Sequence, residues 1–387
     1  MGGVEKYVKR HANGVWYVRK YLGTNPVNSR KMEAYKTLSA TDYDAAVREA
    51  AAYLANLSKN PLVPVGLEDF IRAKERTRSP ANTVATYRTC ANYLRPYLAR
   101  IRVRDLSTAN VNEAYMELLD HGAADGEPLS SGTVRTAHAF LSAAYKWLMG
   151  QGLADSNPTD NATLPPKDVN EAQALDEASL QALLELIGER LRDDSADGAW
   201  PRNVAFAARM ALYTGMRVGE VCGLRRADVH VLQSYVHVCG TVVVSHGRPT
   251  YQPKTKGKRS RNVAVEASDL AAIRAHETWQ ATLFKGGPSS PLVSVGGRFC
   301  NPKLVSAAFR AMAAEAGLPD WCHFHTLRHT HATMLLQGGA DINTVQERLG
   351  HASASTTLNT YGHVLPGRDR EIARQFHATM GLVQGTP

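Results

Sequence analysis

The last quarter of the chain holds His325-Thr-Leu-Arg328, Leu349-Gly350-His351 and Tyr361, and Thr214-Gly-Met-Arg217-Val-Gly-Glu220 lies about a hundred residues upstream. His325 and Arg328 are three positions apart, so on a helix they share a face. That suits two groups gripping adjacent oxygens of one phosphate. Arginine stays charged at neutral pH and meets oxyanions with a planar fork of donors. A tyrosine phenol has an ordinary pKa of about 10 and is a poor nucleophile at pH 7, unless nearby cations lower the cost of attack. Arginine, histidine and tyrosine together therefore point to phosphoryl transfer, with cations at the non-bridging oxygens and a phenol as nucleophile.

Each piece also has a plainer reading. Arg217 reads as a helix-start salt bridge with Glu220. Tyr361 is one of fifteen tyrosines, and a tyrosine is often simply core. His323, His325, His329, His331 and Cys322 invite a metal reading, but Thr326 stands where an HExxH helix needs glutamate. Residues 329–350 also read as a helix-turn-helix around Gly338-Gly339, which leaves Arg217, His351 and Tyr361 unexplained. There is no GxxxxGK[ST] loop and no GxGxxG, so no nucleotide cofactor is expected, and none of any other kind.

The elements that must position these residues are mostly helical. Asn203–Tyr213 is an apolar helix that ends in the glycine turn before Arg217. Leu175–Leu191 is a second, with Leu180, Leu183, Leu184 and Ile187 as its stripe. Residues 325–336 continue His325 and Arg328 into a helix stopped by Gly338-Gly339. Asp341 caps the next helix, which runs to Leu349. Residues 235–245, 250–254 and 261–265 read as strands, the last two flanking a Lys256-Gly257-Lys258 turn. The run Arg248–Arg261 has six Lys/Arg and no acid, the composition of a solvated hairpin tip or of a phosphate-steering surface.

Upstream, residues 15–22 and 31–37 read as strands and Tyr43–Leu57 as a helix, and residues 1–60 carry ten Lys/Arg against five Asp/Glu. Pro61, Pro64 and Gly66 mark a linker. Four helices follow, at 67–78, 83–98, 107–119 and 131–150. From Arg72 to Arg104 there are nine Lys/Arg and, as the sole acid, Glu75. This suggests a face laid against phosphates, where the plain alternative is a solvated helix surface. Residues 152–167 read as an interdomain linker.

Composition agrees. The 387 residues suggest two or three domains, and a net charge of +9 with pI near 9.3 favours an anionic partner, nucleic acid first and a membrane surface second. Five scattered cysteines without CxxC suit a reducing compartment. No signal peptide and no spanning apolar run is visible, so a cytoplasmic location with no membrane partner is expected.

In this order and spacing, TGxRxGE, HxxR, LGH and the tyrosine ten residues beyond Gly350-His351 resemble the active site of the tyrosine recombinases, the phage-integrase family. The resemblance covers the chain from about residue 64 and is most specific at the catalytic end. It implies a multidomain fold, mainly α with small β-sheets. Its parts are a three-stranded sheet plus helix over 1–63 that binds arm-type DNA, a core-binding helical bundle over 64–166, and a mixed α/β catalytic domain over 167–387. It implies Tyr361 as nucleophile forming a 3′-phosphotyrosyl bond, and Arg217, Arg328 and His325 on the phosphoryl oxygens. His351 positions the phosphate, Glu220 braces Arg217, and Lys254 protonates the leaving 5′-oxygen, with Lys256 its rival because the turn register is open. Arg19 and Lys20 of the sheet, Arg72, Lys74, Arg76, Arg78 and Arg88 of the bundle, and Lys256, Lys258 and Arg259 of the hairpin become candidate DNA contacts. The implied partners are double-stranded DNA at core and arm attachment sites, three further copies in a homotetramer on DNA, a directionality factor and a host DNA-bending protein. The expected setting is the nucleoid of a bacterial host cell. The expected role is integration and excision by a phage or other mobile element. Type IB topoisomerases share the chemistry, and a non-catalytic DNA-binding regulator could share the scaffold.

Overall fold

The computed structural model describes residues 4–24, 31–77, 79–122, 126–167, 173–193, 195, 198–245, 247–253, 260–350, 374, 376–378 and 380. The chain divides into two compact units, Met1–Val169 and Asn170–Pro387.

The first unit begins with an antiparallel sheet in which β2 (Trp16–Thr24) lies between β1 (Val8–Arg10) and β3 (Lys31–Thr37). Val18 of β2 and Val8 of β1 are cross-strand partners and both face Ala46 and Ala50 of helix α1 (Tyr43–Lys59). Alternation then sends Tyr17, Arg19 and Tyr21 to the opposite face. The helical part follows: α2 (Val63–Arg76), α3 (Ala81–Leu98), α4 (Thr108–Asp120) and α5 (Ser131–Gly150). Phe70, Ile71, Leu94, Leu118, Phe140 and Leu141 fill the space between them. Ser107 caps α4 by accepting from the Asn110 amide, the boundary the sequence indicates.

Two boundaries differ from the sequence reading. Helix α2 starts at Val63, so the expected linker at Pro64 and Gly66 is its first turn. Proline is at home there because its missing N–H would be unpaired anyway. Gly66 is needed for contact, since a Cβ on it would lie 3.1 Å from Val103 and 3.2 Å from Leu148. The stretch 152–165 is also no loose tether. Thr159 is buried, Thr108 donates to the Pro158 carbonyl at 2.9 Å, and Arg135 donates to the Pro165 carbonyl at 2.6 Å.

The second unit is built from α6 (Glu177–Arg192), α7 (Ala199–Thr214), α8 (Val218–Gly223), β4 (Val229–His230), β5 (Tyr235–Val238), β6 (Gly240–Ser245), β7 (Arg248–Pro253), β8 (Arg261–Ala264), α9 (Ala267–Leu283), β9 (Ser294–Val295), β10 (Arg298–Phe299), α10 (Pro302–Glu315), α11 (Phe324–Gln337) and α12 (Ile342–Leu349). Helix α7 is its axis, with Val204, Phe206, Ala207, Met210 and Ala211 all inside the main core. β7 and β8, the strands on either side of residues 254–259, do not pair with each other. β7 pairs with β6, the register ending with Ser245 opposite Arg248, while β8 pairs with β5. The cause is packing. Val236, Val238 and Val263 share one core, and Gly240 leaves room for the Tyr251 ring, which a Cβ there would meet at 2.2 Å. Helix α9 has no clean apolar stripe to announce it, because His276 and Gln280 are buried beside Ile273 and Trp279.

Candidate active site

Three chain ends meet where α7, α11 and α12 finish or begin. Helix α7 stops at Gly215, whose φ of +66° is left-handed and whose missing side chain matters twice over. A Cβ there would lie 2.6 Å from Leu349 and 2.8 Å from His331. Helix α12 stops at Gly350, also left-handed at φ +67°.

Arg328 enters from α11 and joins these two ends. It is 1% exposed, and it donates from Nη1 to the Gly215 carbonyl at 2.6 Å and from Nη2 to the Leu349 carbonyl at 2.8 Å. Both acceptors are last-turn carbonyls that their own helices leave unpaired, and the negative ends of two helix dipoles favour a cation there. A buried guanidinium is tolerable only with such partners.

Arg217 stands at the start of α8, with its side chain 42% exposed. Its amide and its Nη1 donate to the two oxygens of Glu220 at 3.1 and 3.2 Å, so the plain salt-bridge reading of this pair is also true. Glu220 is 4% exposed and takes a second cation, Arg261 of β8, through Nη1 at 3.2 Å and Nη2 at 2.8 Å. Arg261 also donates from Nε to the Arg348 carbonyl at 2.7 Å. The Arg348 side chain returns the tie. It donates to the Ala264 carbonyl at 3.2 Å, the Tyr213 carbonyl at 3.1 Å and His331 Nε2 at 3.0 Å. His331 Nδ1 meets the Leu212 carbonyl at 2.8 Å, so the ring must be the neutral tautomer with its proton on Nδ1.

His325 lies on the exposed rim, its ring 4.6 Å from that of His329. Its pKa is pushed down to about 4, first by desolvation and then by His329, Arg328, Arg217 and His323. The imidazole is therefore neutral at pH 7 and can donate a hydrogen bond to an anion without adding charge. The charges of Arg217 and Arg328 both bear on the His325 ring, so the three groups are neighbours.

The structure thus brings Arg217, Glu220, His325 and Arg328 together. Lys254, Lys256, Lys258, Arg259, His351, Tyr361 and Arg78 lie outside the described residues, as does most of the amphipathic stretch expected over 368–382. Of the other candidate contacts, Arg19 is on the open face of the sheet but paired with Glu33 at 2.6 Å, and Lys20, one residue on, faces the other way, over the Tyr7 ring. Arg72 pairs with Glu68 and Arg88 with both Glu68 and Glu75, while Lys74 lies over the Phe70 ring. Glu68 falls just before the stretch whose charges look so one-sided. Arg76 is exposed near the C-terminal end of α2. The ties made by Arg261, Arg348 and His331 were not read in the sequence, where His331 figured only as a possible metal ligand and Arg261 only as one cation of a basic run. For Arg261 there was a signal, since it is two residues from Val263 and four from Val265, on the inward side of the strand.

Residues 173–368 match the model of the phage integrase family. The chain is 27% identical over 321 residues to the tyrosine recombinase XerD of Halalkalibacterium halodurans, spanning 80% of this chain and 97% of that one. It is 31% identical over 261 residues to the tyrosine recombinase XerC of a Mycobacterium species (strain KMS), spanning 64% of this chain and 78% of that one. Among solved structures, the Tn1549 transposon integrase in complex with transposon right end DNA superposes with a TM-score of 0.65 at 17% identity, over 81% of this chain and 99% of the other. A lambda integrase dimer bound to a COC′ core site gives 0.55 at 15% identity, over 92% and 95%. The fold is the multidomain, mainly helical one of the integrases, and the chain belongs to the phage integrase family of tyrosine recombinases, which are site-specific DNA recombinases.

Proposed function

We propose that this chain is the integrase of a phage or other mobile element, and that it cuts and rejoins DNA at attachment sites through Tyr361. The observation that carries the reading is the neighbourhood of Arg217, Arg328 and His325, with the two arginines held by ties to Glu220 and to buried backbone carbonyls. Such a site is preorganised for the charge that develops on a phosphoryl group. In the proposed reaction the Tyr361 Oη attacks the scissile phosphorus, an O–P bond forms, and the bond to the 5′-oxygen breaks. Lys254 gives its proton to that oxygen, with Lys256 the other claimant. His351 hydrogen-bonds the phosphate and helps position it. A 5′-hydroxyl from another strand then attacks the phosphotyrosine phosphorus and gives its proton back to the lysine; a P–O bond to the new strand forms as the bond to Tyr361 breaks, and the phenol leaves. The bond energy is conserved, so the cycle needs neither ATP nor metal.

Residues 1–63 would bind arm DNA through the open face of the sheet, residues 64–166 would close over the core site, and residues 167–387 would cut. Four copies on DNA, a directionality factor and a host DNA-bending protein complete the proposed assembly, working at the nucleoid in the cytoplasm. One neighbour is itself a lambda integrase tetramer bound to a Holliday junction, similar over 90% of this chain. The match to lambda integrase takes in 92% of this chain, whereas the match to XerD exhausts 97% of that protein and leaves a fifth of this chain over. A stretch of that size is what an arm-binding module needs. The names of the curated relatives favour a second reading, a Xer-type recombinase acting at one kind of site.

Selection of duplexes from a randomised pool by the whole chain separates the two. An integrase returns two unrelated consensus sequences, for arm and core, and a Xer-type enzyme returns one. Nicked versions of the core sequence then form a covalent protein–DNA band on a denaturing gel, lost in Tyr361→Phe. A band that survives in Tyr361→Phe names the wrong nucleophile. Tight binding with no band on any nick position means a regulator, and relaxation without recombinants means a topoisomerase-like activity.

A further inference from the structure

Arg261 has no part in the chemistry proposed above, yet three hydrogen bonds tie it into the site. It is drawn inward by the alternation of β8, with its side chain 8% exposed. It takes both oxygens of Glu220, at 3.2 and 2.8 Å, the same two oxygens that receive Arg217. Its Nε holds the Arg348 carbonyl at 2.7 Å, and Gly350 must lack a side chain because a Cβ would meet the Arg261 guanidinium at 2.9 Å. One carboxylate thus stands between two guanidiniums. With Glu220 and Arg217 alone the pair would be neutral, and a phosphate would face an arginine already matched by a buried anion. With Arg261 added, the three groups sum to one positive charge. That residual charge favours an incoming phosphate, and it is screened less as the duplex covers the half-exposed Arg217.

We infer that Arg261 is a positioning residue for strand cleavage: by sharing Glu220 it leaves Arg217 with its charge uncompensated toward the scissile phosphate, and it fixes the end of α12 in the same stroke. The inference rests on the proposed role of Arg217, and the test keeps the two apart.

The test measures single-turnover cleavage of the selected nicked duplex by the full chain, beside duplex affinity and a melting curve. The variants are Arg217→Met, Arg261→Met, Arg261→Lys, and Arg261→Met combined with Glu220→Gln. Arg261→Met is expected to slow cleavage about 10- to 100-fold with affinity for the duplex unchanged, somewhat less than the loss of an oxyanion donor. Adding Glu220→Gln removes the matching anion, returns the sum to one positive charge, and recovers at least fivefold. Arg261→Lys keeps the charge and stays within about tenfold of wild type, which decides the matter where Arg261→Met does not fold. A folded Arg261→Met that cleaves at the wild-type rate overturns the inference, and so does a combined variant as slow as the single one, or an Arg261→Lys as slow as Arg217→Met. If Arg217→Met itself cleaves normally, it is the site assignment that falls.

Discussion

Two arginine-rich regions of this molecule look alike on paper and differ in space. In the helical part of the first unit, Arg72 and Arg88 lie on the surface and answer to Glu68 and Glu75 across solvent, with side chains 61% and 47% exposed. In the second unit, Arg328 is 1% exposed and the Arg261 side chain 8%, and their partners are buried with them: backbone carbonyls at helix ends and the Glu220 carboxylate. The first kind of pairing is reversible and cheap to break, so a phosphate can displace the glutamate. The second is part of the fold. The lesson is that density of charge in a sequence says little about its use. What matters is whether the partner, carbonyl or acid, is buried with the charge or stands in solvent.

The comparison breaks most visibly at Arg328. Arg328→Ala should strand two buried carbonyls and leave a cavity, costing about 3–5 kcal/mol in urea unfolding. A loss below about 1 kcal/mol would put Arg328 in the surface class. Acid sharpens the same point at His331, whose pKa is pushed down to about 4, chiefly by burial and then by Arg348. The unfolded ring titrates near 6.5, so between about 6.5 and 4 the unfolded state binds the extra proton. The stability contributed by the neutral ring is therefore complete above pH 6.5. It declines as pH falls toward 4, by on the order of 3 kcal/mol. His331→Gln keeps an acceptor for Arg348 and cannot titrate, so its urea midpoint should fall less between pH 7 and 4.5 than that of the wild type. At the small end, Arg88→Ala should change stability by about 0.5 kcal/mol or less. If Arg88 meets a phosphate on the duplex, the variant also lowers the slope of log affinity against log salt by about 1. An unchanged slope would leave Arg88 as a surface brace.

Much of this could be read from the sequence because it was local. Ser107, Asp176 and Asp341 announce helix starts by their own side chains, and each accepts the amides expected of it. The apolar stripe of α5, from Val134 to Leu148, is legible because one face of one helix carries it. The glycine turn before Arg217 is legible because a helix can end that way in few sequences. What stayed hidden depends on partners far along the chain. Arg261 looked like one more cation of a basic run, since Glu220 and the Arg348 carbonyl are 41 and 87 residues away. Arg88 looked unopposed because Glu68 is 20 residues back, on another helix. The pairing of β7 with β6, and of β8 with β5, follows from which valines share a core, and neighbours in sequence do not reveal that.

The ties of Arg328 span 113 residues back to Gly215 and 21 forward to Leu349. A chain emerging from the ribosome therefore makes Arg217 early but cannot seat the second guanidinium until the last turn of α12 has followed it out. Half-made or partly melted copies hold a set of scattered cations and no assembled site. A site-specific DNA recombinase gains from this ordering: the buried arginine takes its place only with the finished fold, and loses it as soon as the fold loosens.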